Sequence, residues 1–106
     1  MSQWKIEFWG SSESKSPVEK WLDKLYKNQL KDVLKELELL KELGNELKLP
    51  HSRALGDGLF ELRERKYGYR IYYGFNGRHI IVLLAAGNKT SQEKDIALAR
   101  RRLLAL

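Results

Sequence analysis

Residues 59–87 read LFELRERKYGYRIYYGFNGRHIIVLLAAG, and the rest of the architecture is inferred outward from this stretch. Apolar and charged residues alternate over 59–65, which is the period of a β-strand with one buried face. An aromatic-rich strand is predicted over 69–75, and Asn76-Gly77 after it is a strong signal for a two-residue hairpin turn. The apolar run 79–86 predicts a central strand that is covered on both faces.

The two hairpins predict which side chains face each other. The two-residue turn gives three facing pairs: Phe75–Arg78, Tyr73–Ile80 and Ile71–Val82. In the first hairpin, aligning the core faces pairs Leu62 with Ile71 and Phe60 with Tyr73, and leaves 65–68 as the loop.

This register places Arg63 directly across from Arg70, and a slip of two residues would place Arg65 there instead. Like charges that face each other destabilise a sheet, so the pair indicates anion binding. Replacing either arginine by alanine is therefore expected to keep or raise the melting temperature.

The N-terminal half predicts one strand and two helices. Residues 4–9 alternate as a strand, and Ser16-Pro17 with Glu19 forms a helix start with a capping box. That helix is predicted to run to about residue 26, and a second, capped by Asn28, to Gly44. Residues 46–58 are predicted to be a loop.

A last helix is predicted from a cap at Thr90 or Ser91 to about residue 104, with Glu93 completing a candidate capping box. The predicted fold class is α+β, in the order β-α-α-β-β-β-α and in a single domain, residues 1–106. We expect a mostly antiparallel four-stranded sheet, with the helical hairpin on one face and the C-terminal helix at its edge or end.

Composition excludes several classes of protein. The 106 residues include 42% hydrophobic and 32% charged residues and no cysteine, which excludes a disulfide scaffold and a cysteine-built zinc site. No apolar run reaches the ~20 residues of a membrane span. The N-terminus lacks the apolar stretch of a signal peptide, so the expected location is the cytoplasm.

The positive charge is concentrated in the second half of the chain. In residues 1–50, nine lysines balance nine acidic residues, whereas residues 51–106 carry eleven basic and five acidic residues, including all eight arginines. Arginine suits bidentate phosphate contacts. A polyanion-binding surface is therefore predicted in this half, and an ordinary basic solvated surface is the alternative.

Three ordered motifs carry a resemblance to a known family. They are GLFELR at 58–63, GYRIYY at 68–73 and LLAAGNKTSQEKDIALA at 83–99. Together they resemble the addiction-module killer proteins, a RelE/HigB-like toxin family of phage-derived, Gp49-like proteins. Ala86 departs from the family pattern, which often has glycine there.

The resemblance implies a RelE-like fold and a toxin of a type II toxin-antitoxin system. It also implies a ribosome-dependent mRNA endoribonuclease that inhibits translation, and a cognate antitoxin, the ribosome and mRNA as partners. It implies no cofactor, metal or membrane association. Arg63, Arg70 and Lys89 occupy the matching basic positions and are the predicted catalytic residues, since fixed cations can stabilise the phosphorane formed when an RNA 2′-hydroxyl attacks.

The predicted RNA-binding residues flank this set on the same half of the chain. Tyr72 shares the face of Arg70 and is a candidate for stacking on a base, with an ordinary sheet tyrosine as an equal alternative. The full set is Arg53, Arg65, Lys66, Tyr72, Arg78 and Gln92. Structural alternatives are an Arg63–Glu61 ion pair, packing of Arg70 on Tyr72, and a supporting role for Gln92 at the helix start.

General acid–base chemistry has only weak candidates, His51 and His79. The competing interpretation of the whole chain is a basic RNA- or DNA-binding module, or a partner-binding module, without catalysis. Neither RNP motifs nor a helix-turn-helix is recognisable. Convergence of the three predicted catalytic residues in one concave patch would favour the enzyme, and dispersal would favour the module.

Overall fold

The computed structural model describes residues 4–12 and 14–106 and contains three helices and one five-stranded sheet in these residues. The strands are β1 (Lys5–Phe8), β2 (Ser52–Gly56), β3 (Leu59–Glu64), β4 (Tyr69–Phe75) and β5 (Ile80–Gly87). The helices are α1 (Pro17–Asp23), α2 (Lys27–Leu43) and α3 (Gln92–Leu104), and a 3₁₀ turn, Gly44–Glu46, follows α2.

The sheet order is β1-β5-β4-β3-β2, with β1 parallel to β5 and the other neighbours antiparallel. The predicted α+β class and mostly antiparallel sheet are confirmed, but the predicted count of four strands is wrong. The extra strand, β2, lies in the predicted loop 46–58. It is an edge strand that is exposed at most positions, so its residues lack the alternating apolar pattern that identifies a strand.

The two helical layers cover opposite faces of the sheet. α1 and α2 pack on one face, where the core includes Val33, Leu62 and Ile71. α3 packs on the other face against Leu59 and Leu84. The expectation that the last helix lies at the edge or end of the sheet is therefore wrong, because its apolar side buries the second face of the central strands.

Helix starts follow the predicted signals in part. Ser16 and Glu19 form the predicted capping box of α1, with backbone-to-side-chain hydrogen bonds of 3.0 and 3.1 Å. α2 begins at Lys27 rather than after a cap at Asn28. At α3, Ser91 is the N-cap residue, but its hydroxyl donates to the carboxylate of Asp95, and the predicted capping box is absent.

The register of the first hairpin is confirmed, whereas that of the second differs. In β3–β4, Leu62 pairs with Ile71 and Arg63 with Arg70, as predicted. Between β4 and β5, four residues separate the strands, and the observed pairs are Phe75–Ile81, Tyr73–Leu83 and Ile71–Ala86. β5 is buried on both faces, so its apolar sequence does not distinguish one register from another.

A β-bulge in β5 adjusts its two faces to the two helical layers. The register shifts between Tyr72 and Tyr73 of β4, where one residue of β5, Leu84, has no direct partner. Leu84 and Ala85 consequently both belong to the core under α3. The bulge thus supplies adjacent side chains to one helix.

Gly44 is required by the packing of the N-terminal strand on the hairpin. It has a φ of 53°, and a Cβ built on it would lie 2.0 Å from an indole carbon of Trp4. Contact this close cannot be relieved without moving the indole ring. The glycine therefore lets β1 and the end of α2 approach each other.

We predict that Gly44→Ala destabilises the fold by about 3 kcal/mol or more, from overpacking and left-handed strain together. Gly77→Ala is the matched control, because Gly77 has a φ of 76° but nothing within 4 Å of a built Cβ. Its loss should be about 1 kcal/mol. Urea unfolding of both variants measures the difference, and equal losses would contradict the steric explanation.

Candidate functional site

A buried carboxylate, that of Glu61, organises the polar part of the α3 face. Glu61 lies on β3, pairs with Arg53 of β2 and Tyr72 of β4, and has no exposed surface. Its Oε1 is 3.3 Å from Nη2 of Arg53 and 3.8 Å from Nε of Arg63, and its Oε2 is 3.4 Å from Nε of Arg70. Three strands thus contribute to one ion cluster.

The helix closes this cluster from above. Gln92, the first residue of α3, donates from Nε2 to Oε2 of Glu61 at 2.9 Å. The hydroxyl of Tyr72 is buried beside the same carboxylate. Burial, and secondarily the negative charge of Glu61, raise the pKa of Tyr72 well above its ordinary value, so its hydroxyl stays protonated.

The carboxylate of Glu61 reduces the electrostatic cost of placing two arginines opposite each other. Arg63 and Arg70 do repel each other across β3 and β4, but the carboxylate between them compensates this repulsion. Arg70 is 12% exposed and also donates from Nη1 to the carbonyl of Gly68 at 3.1 Å, whereas Arg63 is 33% exposed. Arg70 is therefore positioned by both an ion pair and a hydrogen bond, whereas Arg63 is positioned by a longer ion pair.

The three predicted catalytic residues converge. Arg63, Arg70 and Lys89 share a depression of about 280 Å³ at the end of the sheet, next to the β3–β4 loop. The remaining residues that line the depression are Glu64, Arg65, Gly68 and Tyr69. With Arg65 included, cations dominate this concave surface, which is the spatial arrangement expected of an anion site.

The loop between β5 and α3 places Lys89. A Cβ on Gly87 would lie 1.9 Å from Oδ2 of Asp95, so the strand can meet the helix closely only because residue 87 is glycine. The side chain of Asn88 then accepts hydrogen bonds from the backbone N–H groups of Thr90 and Ser91 at 2.9 and 3.1 Å. These contacts fix the turn that carries Lys89 toward the arginines.

Of the six predicted RNA-binding residues, four lie at or next to the site and one, Arg78, lies far from it; Tyr72 is described below. Arg53 and Gln92 belong to the Glu61 cluster, Arg65 lines the depression, and Lys66 is exposed on the adjoining loop. Arg78 lies elsewhere, in the β4–β5 loop at the opposite end of β4, beside Trp4 and the end of α2. The structure does not bring Arg78 to the site.

The base-stacking role predicted for Tyr72 is wrong for this structure. Tyr72 does lie on the face of Arg70, but α3 covers that part of the face and leaves the ring with no exposed surface. A nucleobase cannot reach a ring in this position. Tyr72 instead packs in the core beneath the helix.

Neither histidine reaches the depression. Nδ1 of His51 lies 2.9 Å from Oε1 of Glu36, which ties the start of β2 to α2 on the other side of the sheet. The ring of His79 lies edge-on to Trp4 at 5.4 Å. Both therefore take part in structural contacts away from the cations.

Two further arginines have structural partners. Arg100 donates to the carbonyls of Gly56 and Leu55, and Arg102 donates to the carbonyl of Leu84 while stacking on Trp9 at 4.4 Å. Burial lowers the pKa of Arg102. These two arginines therefore link α3 to the sheet and do not contribute to a polyanion-binding surface.

Sequence reasoning underestimated Glu61. Its alternation with Arg63 suggested a single ion pair, whereas the carboxylate contacts three arginines and a glutamine. The sequence did contain a signal for this cluster. Glu61 lies two residues before Arg63, on the same face of the strand, and the predicted register pairs Arg63 with Arg70. The contribution of Arg53 was hidden because β2 was not predicted.

Other classes of site find no support in the part of the chain that the structure describes. Over residues 4–12 and 14–106, no three histidine or acidic side chains are grouped closely enough to hold a metal ion. Among the same residues, no helix has the length and apolar character needed to cross a membrane.

The fold is that of a RelE-like toxin. A structure of the Escherichia coli toxin RelE, an arginine-to-alanine double mutant in the free state, superposes with a TM-score of 0.66 over 96% of this chain and 98% of that chain, at 16% identity. The phage-derived Gp49-like protein family (DUF891) matches residues 20–104, and the chain belongs to this family. An uncharacterized protein of Haemophilus influenzae is 32% identical over 81 residues, 76% of this chain and 79% of that protein. The predicted resemblance is thus confirmed.

Because Glu61 lies beside both facing arginines, we predict unequal stability losses when they are truncated, in place of the unchanged or raised melting temperature expected from the register alone. Arg70→Ala should lower the free energy of unfolding by about 1–3 kcal/mol, because it leaves a buried carboxylate without its least exposed partner. Arg63→Ala should change it by less than about 1 kcal/mol, since Arg63 is more distant and more exposed. Urea unfolding measures both, with Arg78→Ala as a basic control outside the cluster. A stabilised Arg70→Ala variant would show that repulsion between the arginines outweighs their attraction to Glu61.

Proposed function

We propose that this protein is the toxin of a type II toxin-antitoxin system and cleaves mRNA on the ribosome. The observation that carries the proposal is the depression lined by Arg63, Arg70 and Lys89, in which both arginines lie within 4 Å of the buried carboxylate of Glu61. Membership of the Gp49-like family and the RelE-like fold support it.

The proposed reaction uses the 2′-hydroxyl of the RNA as nucleophile. Its oxygen forms a bond to the adjacent phosphorus, the bond to the 5′-oxygen breaks, and the products are a 2′,3′-cyclic phosphate and a 5′-hydroxyl. The attacking hydroxyl gives its proton to solvent water, since neither histidine lines the depression, and the leaving oxygen takes up a proton from solvent water. Negative charge accumulates on the non-bridging oxygens of the phosphorane between these steps.

Fixed cations are suited to this charge distribution. Because Glu61 already places Arg70, and less closely Arg63, beside the depression, these cations need little reorganisation when the phosphorane forms, which is the condition for effective electrostatic stabilisation. Lys89 lines the same depression and adds a third cation. The arginines and the lysine are therefore proposed to stabilise the transition state and to position the phosphate.

The surrounding cations are proposed to hold the neighbouring phosphates. Arg65 lines the depression, and Lys66 follows it on the exposed loop. Arg53 is partly exposed at the β2 edge of the Glu61 cluster. A single strand that crosses the sheet end could contact these residues in sequence, with the ribosome presenting the mRNA in extended form.

A cognate antitoxin is the second proposed partner. A cationic depression favours a protein segment that carries acidic side chains, because such a segment complements the charge and covers the site. We expect it to contact the arginine-rich half, the α1–α2 hairpin, or both. Since the proposed substrate is translated mRNA, the proposed location is the cytoplasm.

Arg63→Ala should lower the rate of ribosome-dependent mRNA cleavage by about a hundredfold or more, because it removes one contact to the developing charge. Arg63→Lys should restore little of this rate, since an ammonium lacks the planar pair of donors. Cleavage of a defined mRNA on translating ribosomes measures the effect, and Arg78→Ala is the control of equal charge change. Unchanged cleavage by both Arg63 variants would contradict the assignment.

RNA binding and cleavage should separate in the loop variants. Arg65→Ala and Lys66→Ala should each weaken binding of single-stranded RNA and reduce the slope of log K against log salt by about 0.7, as expected for one lost phosphate contact. The cleavage rate at saturating RNA should change little. RNA binding without any cleavage by the parent chain would instead favour the non-catalytic binding module.

A further inference from the structure

The β3–β4 loop carries two aromatic rings next to the cationic depression. Tyr69 lines the depression, and Tyr67 stacks on Tyr69 with ring centroids 5.8 Å apart and planes inclined by 26°. Both side chains are partly exposed, unlike Tyr72. Aromatic rings that adjoin a row of cations are the usual components of a single-strand binding surface.

The inner ring, that of Tyr69, is anchored on the helical hairpin. Trp21 of α1 meets it edge-on, with centroids 5.3 Å apart and planes at 89°. The contact leaves Tyr67 as the outer member of the ring pair. A base that stacks on Tyr67 would therefore be supported by Tyr69 and, through it, by Trp21 of α1.

The outer ring is held at both ends. The carboxylate of Glu64, itself 5% exposed, accepts hydrogen bonds from the backbone N–H groups of Lys66, Tyr67 and Tyr69 at 2.7, 3.1 and 3.4 Å. At the other end, Asn28 of α2 donates to the hydroxyl of Tyr67 at 2.9 Å. A ring fixed in this way loses little conformational freedom when a ligand stacks on it.

A cation accompanies the outer ring as well. The ammonium of Lys66 lies over the ring of Tyr67, 5.4 Å from its centroid, so a base that stacks on Tyr67 must displace this exposed side chain. Arg65 lines the depression, so the loop that carries the ring pair also carries two basic side chains. Phosphates that neighbour a stacked base would therefore have basic partners on this loop.

We propose that Tyr67 and Tyr69 form a nucleobase-binding subsite, in which an unpaired base of the RNA stacks on Tyr67 while the adjoining phosphate occupies the cationic depression. The subsite rests on the proposed function, since it takes the same RNA. It assigns recognition of a base to the loop and recognition of the phosphate to the sheet. The competing explanation is that the rings only pack the loop against the helical hairpin.

The test measures binding without cleavage. The probes are a labelled 2′-O-methyl hexaadenylate, which lacks the nucleophilic hydroxyl, and an abasic sugar-phosphate hexamer of the same charge. The unsubstituted chain should bind the base-bearing probe more tightly. Tyr67→Leu should weaken that binding about 5- to 100-fold and leave binding of the abasic probe unchanged, because only stacking is lost.

Two variants control for structure. Tyr67→Phe keeps the ring but loses the hydrogen bond from Asn28, and it should bind the base-bearing probe within about twofold of the parent. Tyr26→Leu removes a 76% exposed tyrosine outside the ring pair and should leave the affinity for both probes unchanged. Melting temperatures of all variants should agree closely.

Several outcomes would overturn the subsite. One is equal affinity of the parent chain for the two probes. Another is that Tyr67→Leu loses affinity for both probes to the same extent. Failure of the subsite is separate from failure of the proposed function, because Arg63→Ala would still abolish cleavage if only the subsite were wrong. If Arg63→Ala leaves cleavage unchanged, the proposed function fails whatever the ring variants show.

Discussion

A carboxylate that is removed from water loses several kcal/mol of solvation, and Glu61 compensates this loss through its charged neighbours. Arg53, Arg63 and Arg70 come from three adjacent strands, and Gln92 comes from the first turn of α3. The cluster is therefore complete only when the sheet and the last helix are both in place. Among the residues that the structure describes, Oε2 of Glu61 accepts a hydrogen bond from Gln92, whereas Oε1 has ion-pair contacts but no hydrogen bond. The same ion pairs place the arginines of the candidate site, so the stability of this region and the geometry of the site share one cause.

The position of the site follows from how α3 divides its face of the sheet. The helix covers the apolar end, where the β5 bulge supplies Leu84 and Ala85, and it begins just beside the Glu61 cluster. Beyond the start of the helix, the ends of β3 and β4 remain open, and Lys89 approaches them from the preceding turn. The depression is thus the part of the sheet that α3 leaves uncovered, because the helix begins only at Gln92, after Lys89.

Sequence patterns predicted the register of a strand pair correctly where alternation of apolar and polar residues identified the core face. Alternation in β3 and β4 defined the core face and hence the Arg63–Arg70 pair. β5 is apolar on both faces, so its register was determined by packing against two helical layers, which the sequence pattern does not contain. β2 escaped prediction because an exposed edge strand buries few side chains, and its pairing with β3 depends mainly on backbone hydrogen bonds.

Residue type and register predicted the cations of the site, but they did not predict exposure. Tyr72 and Arg70 share a face, yet helical cover makes the first a core residue and leaves the second partly open. Tyr67 and Tyr69 were not among the predicted RNA-binding residues. Only the stacking of Tyr67 on Tyr69, together with the edge-on contact of Tyr69 with Trp21, shows that they form one surface. Charge can be counted in a sequence because it belongs to the residue. Accessibility belongs to the packing around it, so the division of these side chains into core, cation site and ring pair had to come from the structure.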